Sequence, residues 1–258
     1  MLPRLLIPLE DGLRAGIESG EPIEIGREQA RYLSRVLRLS AGDPVQVFDG
    51  QGSRYGARIV QIDAGTCQLR IEQTLPRVEA SRLSLTLAQC LSSADKMDWT
   101  IEKAVELGVS SIVPLFSERS LIRLDPDRGQ RKLQHWQAVV EAACMQSGQD
   151  QLPALCAPVT IAKWLAMGPS PGLRLALSPF AETTLVQAIE GARLDSTRAA
   201  ESPVTLLVGP ESGLTPAELE RLIDAGFVAV KLGPRVLRTE TAGLAALAAI
   251  AAIAGDFR

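Results

Sequence analysis

Apolar and polar positions alternate through the first seventy-odd residues, and after Leu83 they give way to longer apolar runs separated by amphipathic segments. In the first part PVQVFD, YGARIVQI and CQLRIEQ are short β-branched runs parted by DGQGS and DAG turns, which predicts strands. One helix interrupts them, from about Arg27 to Leu39. The stretch Thr74–Ser81 reads as a linker, because Pro76 cannot continue a ladder. From Leu83 the pattern changes to strand, helix, strand. LSLTLAQC predicts a strand, Asp95 to Leu107 a helix closed by Gly108, and SSIVPLF the next strand. That βαβ order implies a parallel sheet. Arg131 to Ser147 predicts a further helix, stopped by Gly148.

Three apolar runs near the C-terminus each end in a tight turn: LRLALSP (Leu173–Pro179), VTLLVGPESG (Val204–Gly213) and VAVKLGP (Val228–Pro234). As neighbouring parallel strands they would bring all three turns to one carboxyl edge, where open α/β sheets hold ligands. Gly209, Gly213 and Gly233 would let main-chain amides approach a flat ligand closely. The second turn opens a helix with Thr215 as N-cap, Pro216 at the first position and Glu218 completing a capping box. The same punctuation also describes an ordinary capped βα joint. After the third turn, PRVLRTETAG sets Arg235, Arg238, Glu240 and two threonines before a helix, Ala242–Ala254, that is apolar on every side. Such a helix must be buried, in the core or between subunits. The polar cluster also fits a network that merely orders a loop.

Composition narrows the chemistry. With 258 residues, 46% hydrophobic and 22% charged, the chain is globular and forms one large domain or two modest ones. Lys and Arg number 27 against 30 Asp and Glu, so any polyanion must be met by a local patch. Arg27, Arg31, Arg35 and Arg38 offer one: on a helix they share a face opposite Ala30, Leu33, Val36 and Leu37, spaced to grip successive phosphates. Neutralised by Glu24 and Glu28, they would equally make a solvated face. Cys67, Cys90, Cys144 and Cys156 form no C-x-x-C pair, which excludes a zinc-ribbon site and a disulfide framework. His135 is the only histidine, so a multi-histidine metal centre is excluded, and it reads as a helix-surface residue. No G-x-G-x-x-G follows a strand and no P-loop appears. The start has no secretory signal pattern, and the uncharged run Thr241–Gly255 is shorter than the ~20 residues of a membrane span. These features lead us to expect a cytoplasmic protein with no membrane partner and no metal.

GPESGL (Gly209–Leu214) and LGPRVLRTETA (Leu232–Ala242), in this order and separation, resemble the RsmE family of bacterial 16S ribosomal RNA uridine-N3 methyltransferases, within the SPOUT superfamily. The family patterns are GPEGGF and LGxRILRxETA. Further matches are DKMDWTIEKAVELGV (Asp95–Val109), PLFSERS (Pro114–Ser120), EAACMQSG (Glu141–Gly148) and, in the first part, VLRL, GD and FDGQG between Val36 and Gly52. The resemblance spans nearly the whole chain. It departs at Ser93, where a lysine is common (Lys96 stands nearby), at Gln149 in place of arginine, at Ala30 and Tyr32 where a histidine is frequent, and at Ser212 in place of glycine. These changes bear on RNA contacts more than on the cofactor.

The resemblance implies an α/β protein: an N-terminal PUA-like RNA-binding β-barrel, residues 1–74, and a C-terminal SPOUT methyltransferase domain with a trefoil knot, residues 80–258. It implies a homodimer that uses S-adenosyl-L-methionine to methylate N3 of one uridine, uracil-1498, of 16S rRNA within the 30S subunit. Cofactor contacts would come from Leu177, Ser178, Pro179, Gly209, Pro210, Glu211, Gly213, Leu232, Gly233, Val236, Leu237, Thr239 and Ala242. RNA contacts are expected at Arg4, Arg31, Arg35, Arg38, Lys96 and Arg119. Uracil N3 must lose a proton before it attacks, and a fixed guanidinium suits the resulting anion. Arg235 is the first candidate and Arg238 the second, with Glu211 and Glu240 as groups that orient an arginine or take the proton through water. Two alternatives stay open: a related knotted enzyme acting on a ribose 2′-hydroxyl or another base, and a non-catalytic RNA-binding assembly factor.

Overall fold

The computed structural model describes residues 2–9, 13–63, 65–78, 83–120, 126–168, 171–194, 203–255 and 257. The chain divides into two compact units, one comprising 1–80 with 144–152 and the other 81–143 with 153–258.

The first unit is built on β1 (Arg4–Leu6), β2 (Ile23–Ile25), β3 (Pro44–Phe48), β4 (Arg54–Ile62) and β5 (Cys67–Leu75), with helices α1 (Arg14–Ser19) and α2 (Arg27–Arg31). The sheet is a half-barrel in the order β1-β3-β4-β5-β2, with β1 parallel to β3 and the other pairs antiparallel. Period-two alternation sends Val45, Val47, Tyr55, Ala57, Ile59 and Leu69 inward onto Leu5, Leu13, Ala30 and Leu33. Cys67 lies in this core, where burial pushes its thiol up to about 11. β5 continues to Leu75 before Pro76 stops it; residues 79–81 of the expected linker lie outside the described residues.

Two expectations for this unit need correction. The helix from Arg27 does not reach Leu39: α2 passes into a π-helical turn, Tyr32–Val36, and ends there. A π turn takes about one residue more than an α turn, which rotates the following side chains. Val36, expected to face inward, is 67% exposed. Arg27, Arg31 and Arg35 stay exposed on helical backbone, whereas Arg38 lies beyond it at φ 56°. Arg4 is not an RNA contact. Its side chain is buried, donates to Asp150 Oδ1 at 2.5 Å and to the Gln149 carbonyl at 3.0 Å, and lies 4.6 Å from the Phe48 ring centre. No phosphate reaches a guanidinium so enclosed.

The second unit contains β6 (Leu85–Cys90), α3 (Ala94–Glu106), β7 (Ser111–Phe116), α4 (Pro126–Ser147), β8 (Ala154–Leu155), β9 (Val159–Thr160), α5 (Ile161–Ala166), β10 (Leu173–Leu177), α6 (Leu185–Gly191), β11 (Val204–Val208), α7 (Pro216–Asp224), β12 (Val228–Val230) and α8 (Thr239–Ala254). The sheet runs β12-β10-β11-β6-β7-β8, with β9 also on β7, and every pairing is parallel. β11 is buried along its whole length, as a central strand covered on both faces must be. On one side Trp164 meets Phe227, their rings 5.8 Å apart, over Ala88, Ala176, Leu207 and Leu222. α8 packs on α3, β6 and β11. It buries Leu244, Leu247 and Ile250 but leaves Thr241, Ala245 and Ala252 exposed, so within one chain it is not covered on every side. Among the described residues no helix is long and apolar enough to cross a membrane.

Candidate active site

β10, β11 and β12 are neighbours in one parallel sheet, so their carboxyl ends, Leu177, Val208 and Val230, open on the same edge. Backbone bonds fix the first two of the turns that follow. Ser178 N–H donates to the Val230 carbonyl at 2.9 Å, and Gly213 N–H closes its own loop on Pro210 O at 2.9 Å. Gly233 has φ 120° and Gly213 φ 73°, conformations that a Cβ penalises and that let these loops reverse tightly. The T-x-x-E capping box forms as expected, with Thr215 Oγ1 accepting from Glu218 N–H. Glu218 does more than cap. Its carboxylate, 2% exposed, also accepts from Ser117 Oγ and from Glu118 N–H, joining the loop after β7 to that after β11.

The turns enclose a cavity of about 810 Å³, within the range of small-molecule sites. Leu177, Ser178 and Pro179 line it from the first turn. Gly209, Pro210, Glu211 and Gly213 line it from the second, and Leu232, Gly233, Val236, Leu237, Thr239 and Ala242 from the third. Arg235, Arg238, Lys96 and Arg119 border the same space. Arg31, Arg35 and Arg38 belong to the other unit.

Charge is distributed unevenly around this cavity. Lys96, on the first turn of α3, hydrogen-bonds to Glu211 and lies 3.5 Å from Glu240; these carboxylates hold its ammonium above the usual lysine range, the Glu211 bond contributing most. Glu211 is therefore engaged by Lys96 rather than by either arginine, and Lys96 is not a free cation. Arg119 donates to the Ser212 carbonyl at 3.1 Å, and Ser212 Oγ returns a bond to the Arg119 carbonyl at 3.2 Å. The serine standing in the family's glycine position thus adds a loop-to-loop bond. Arg235 and Arg238 are exposed, and their guanidinium groups have no hydrogen-bond partner among the described residues. Cys90, at the end of β6, is no nucleophile: burial, with a smaller push from Glu218, holds the thiol protonated.

One positioning residue escaped the sequence reading. Gln89, 1% exposed on β6, donates from Nε2 to Thr239 Oγ1 at 3.0 Å, and Thr239 donates to the Gly209 carbonyl at 2.6 Å. A lone amide within LTLAQC was the available signal. The relay fixes a carbonyl of the cavity wall from behind. Thr239→Val, isosteric but without the hydroxyl, leaves one N–H of the Gln89 amide and the Gly209 carbonyl without this partner. The expected loss of stability is about 1–3 kcal/mol by chemical denaturation, with weaker S-adenosylhomocysteine binding by calorimetry; Thr239→Ser should retain both.

Comparison with known proteins places these features. Residues 79–251 match the model of an RNA methyltransferase domain, and residues 25–72 that of an RNA methyltransferase PUA domain. Ribosomal RNA small subunit methyltransferase E of Buchnera aphidicola (subsp. Schizaphis graminum) is 30% identical over 240 residues, 93% of this chain and 94% of that protein. Its counterpart in Synechocystis is 35% identical over 225 residues, 87% of this chain and 71% of that one. Among solved structures, ribosomal RNA small subunit methyltransferase E of Neisseria gonorrhoeae, bound to S-adenosyl methionine, superposes with a TM-score of 0.87 at 34% identity, covering 100% of both chains.

Proposed function

The chain belongs to the ribosomal RNA small subunit methyltransferase E family, and from that premise we propose that it methylates N3 of one uridine in 16S RNA of the small subunit. The observation that carries this reading is the cavity walled by three loops at the carboxyl edge of a parallel sheet.

The residues fit S-adenosyl-L-methionine. Leu177, Leu232, Leu237 and Ala242 supply apolar walls for an adenine ring, and the loop glycines, lacking a Cβ, let the main chain approach its polar edge closely. The Gln89–Thr239 relay holds one such carbonyl still. When bound, the cofactor supplies an electrophilic methyl group on a sulfonium. The protein's own part is to place uracil and to stabilise the N3 anion. Arg235 meets a carbonyl oxygen of the base as the N3 proton leaves, and keeps its own charge throughout. Arg238 is the second donor. The proton passes to water, because the nearby carboxylates of Glu211 and Glu240 are committed to Lys96. Arg119 and the exposed Arg31, Arg35 and Arg38 are the RNA-facing cations of this proposal.

The reading extends to a homodimer and to a threaded C-terminal segment. After β12 at the far side of β10, the chain returns as α8 across β11 and β6, the kind of return a trefoil knot requires.

Two measurements test the proposal. Calorimetric titration with S-adenosylhomocysteine should give saturable one-to-one binding per chain. Nucleoside mass mapping of 16S RNA, after incubating unmodified small subunits with protein and S-adenosyl-L-methionine, should find one new N3-methyluridine. A 2′-O-methyl product would replace this reading with the related ribose enzyme. Absence of both binding and methylation would leave an RNA-binding factor.

A further inference from the structure

We propose that Phe180 is the platform on which the target base stacks, an inference that rests on the RNA-methylating reading above. Phe180 follows Ser178 and Pro179 in the first turn and borders the cavity, yet it is 91% exposed. Phenylalanine is among the most consistently buried residue types, and this chain has only five of them. The other strongly exposed aromatics, Phe257 at 52% and Trp99 at 44%, do not line the cavity.

The ring does not hang on a loose loop. Pro179 restricts the backbone before it, Ala181 N–H closes the turn on Ser178 O at 3.2 Å, and Ser178 is bonded to β12. A nearly fully exposed wall encloses nothing, so the ring adds little to a cofactor buried among Leu177, Leu232 and Leu237. It suits a ligand that arrives from solvent. Arg235 borders the same cavity, its guanidinium in no hydrogen bond or ion pair among the described residues, and Val236, 77% exposed, adds a second apolar contact there. An aromatic face and a guanidinium bordering one cavity are a set by which proteins hold an unstacked nucleobase: the ring replaces the lost stacking and the fork reads the edge. An uncharged ring offers nothing to a phosphate, so the occupant is the base and not the backbone.

The test measures methylation kinetics on small subunits for Phe180→Ala, Phe180→Leu, Phe180→Tyr and Phe180→Trp, with S-adenosylhomocysteine affinity and solution mass in parallel. Stacking predicts that Ala and Leu lower kcat/KM by about ten- to a hundredfold, mainly through KM, while Tyr and Trp stay close to the unsubstituted enzyme. Cofactor affinity and mass should not move. Leu matching the parent would overturn the inference, since bulk alone would then suffice. So would a fall in oligomeric mass in the Ala variant, which would assign the ring to a second copy of the chain, or a parallel loss of cofactor affinity. A parent enzyme that methylates while Ala is equally active defeats this inference alone. A parent inactive on every RNA defeats the underlying reading and this one with it.

Discussion

Arg235→Ala is expected to lower single-turnover methylation of small subunits by about a hundred- to a thousandfold, the scale of removing one donor from a developing anion. S-adenosylhomocysteine affinity should be retained. The argument is electrostatic. Uracil N3 gains nucleophilicity only as its proton departs, and the charge then spreads over two carbonyl oxygens. Arg235 is exposed at the cavity and its guanidinium is unengaged among the described residues, whereas Lys96 is held by two carboxylates and Arg119 by Ser212. Arg235→Lys should recover only part of the rate, because an ammonium keeps the charge and loses the planar fork. Raising the pH should narrow the gap between parent and variant, since hydroxide then removes the N3 proton without help. A normal single-turnover rate in Arg235→Ala would end the assignment, and Arg238 would be examined next.

The largest expected effect on stability lies in the other unit. Asp150→Ala is expected to cost about 3–5 kcal/mol by chemical denaturation, because it leaves the buried Arg4 charge without its carboxylate, and Arg4→Ala less, because Arg54 still faces Asp150. Both side chains are 4% exposed, and Arg54 Nε stands 3.8 Å from the far oxygen of Asp150. Burial drives Asp150 above the usual aspartate range and Arg4 below the usual arginine range, so for each the lost hydration outweighs its partner's pull. The pair is thus expensive to break without being a large net gain. Arg4→Met combined with Asp150→Leu should lie near the parent and above either single variant. The sign with pH follows. A carboxyl titrating above its unfolded value contributes stability below the unfolded pKa and loses it as pH rises through the folded one. The double variant should therefore lack that acid-range slope. Single variants as stable as the parent would show that the pair is solvated in solution.

What could be read in the sequence was what local chemistry decides. The three apolar runs ending in proline turns, the capping box at Thr215 and the stop at Gly108 each need only a few neighbouring residues to specify them, and each forms as expected. Placing those runs side by side brought the three turns to one edge, and the resemblance to the family supplied the individual residues around them. Less visible was whatever depends on partners far along the chain. Arg4 is separated from Asp150 by 146 positions, so its burial left no local mark, and Glu240 is drawn to Lys96 of α3 in the same way. Local cues misled where they were incomplete. α8 begins at Thr239, not Ala242, and its N-cap, Arg238, makes no side-chain bond, so no capping residue marked that start. α4 is described from Pro126, five residues before the expected start. The π turn at Tyr32–Val36 has no recognisable composition, and it displaced Val36 and Arg38 from the predicted faces.

The borders of the parallel sheet bear on how the protein behaves when concentrated. One border is β12, only three residues long, and the other is broken into two-residue pieces, β8 and β9. A foreign strand seeking unpaired amides would find two or three rungs at most, too few to template cross-β growth. The apolar interior of β11, rich in Val and Leu and hazardous if laid bare, is shielded behind stubs that make poor seeds.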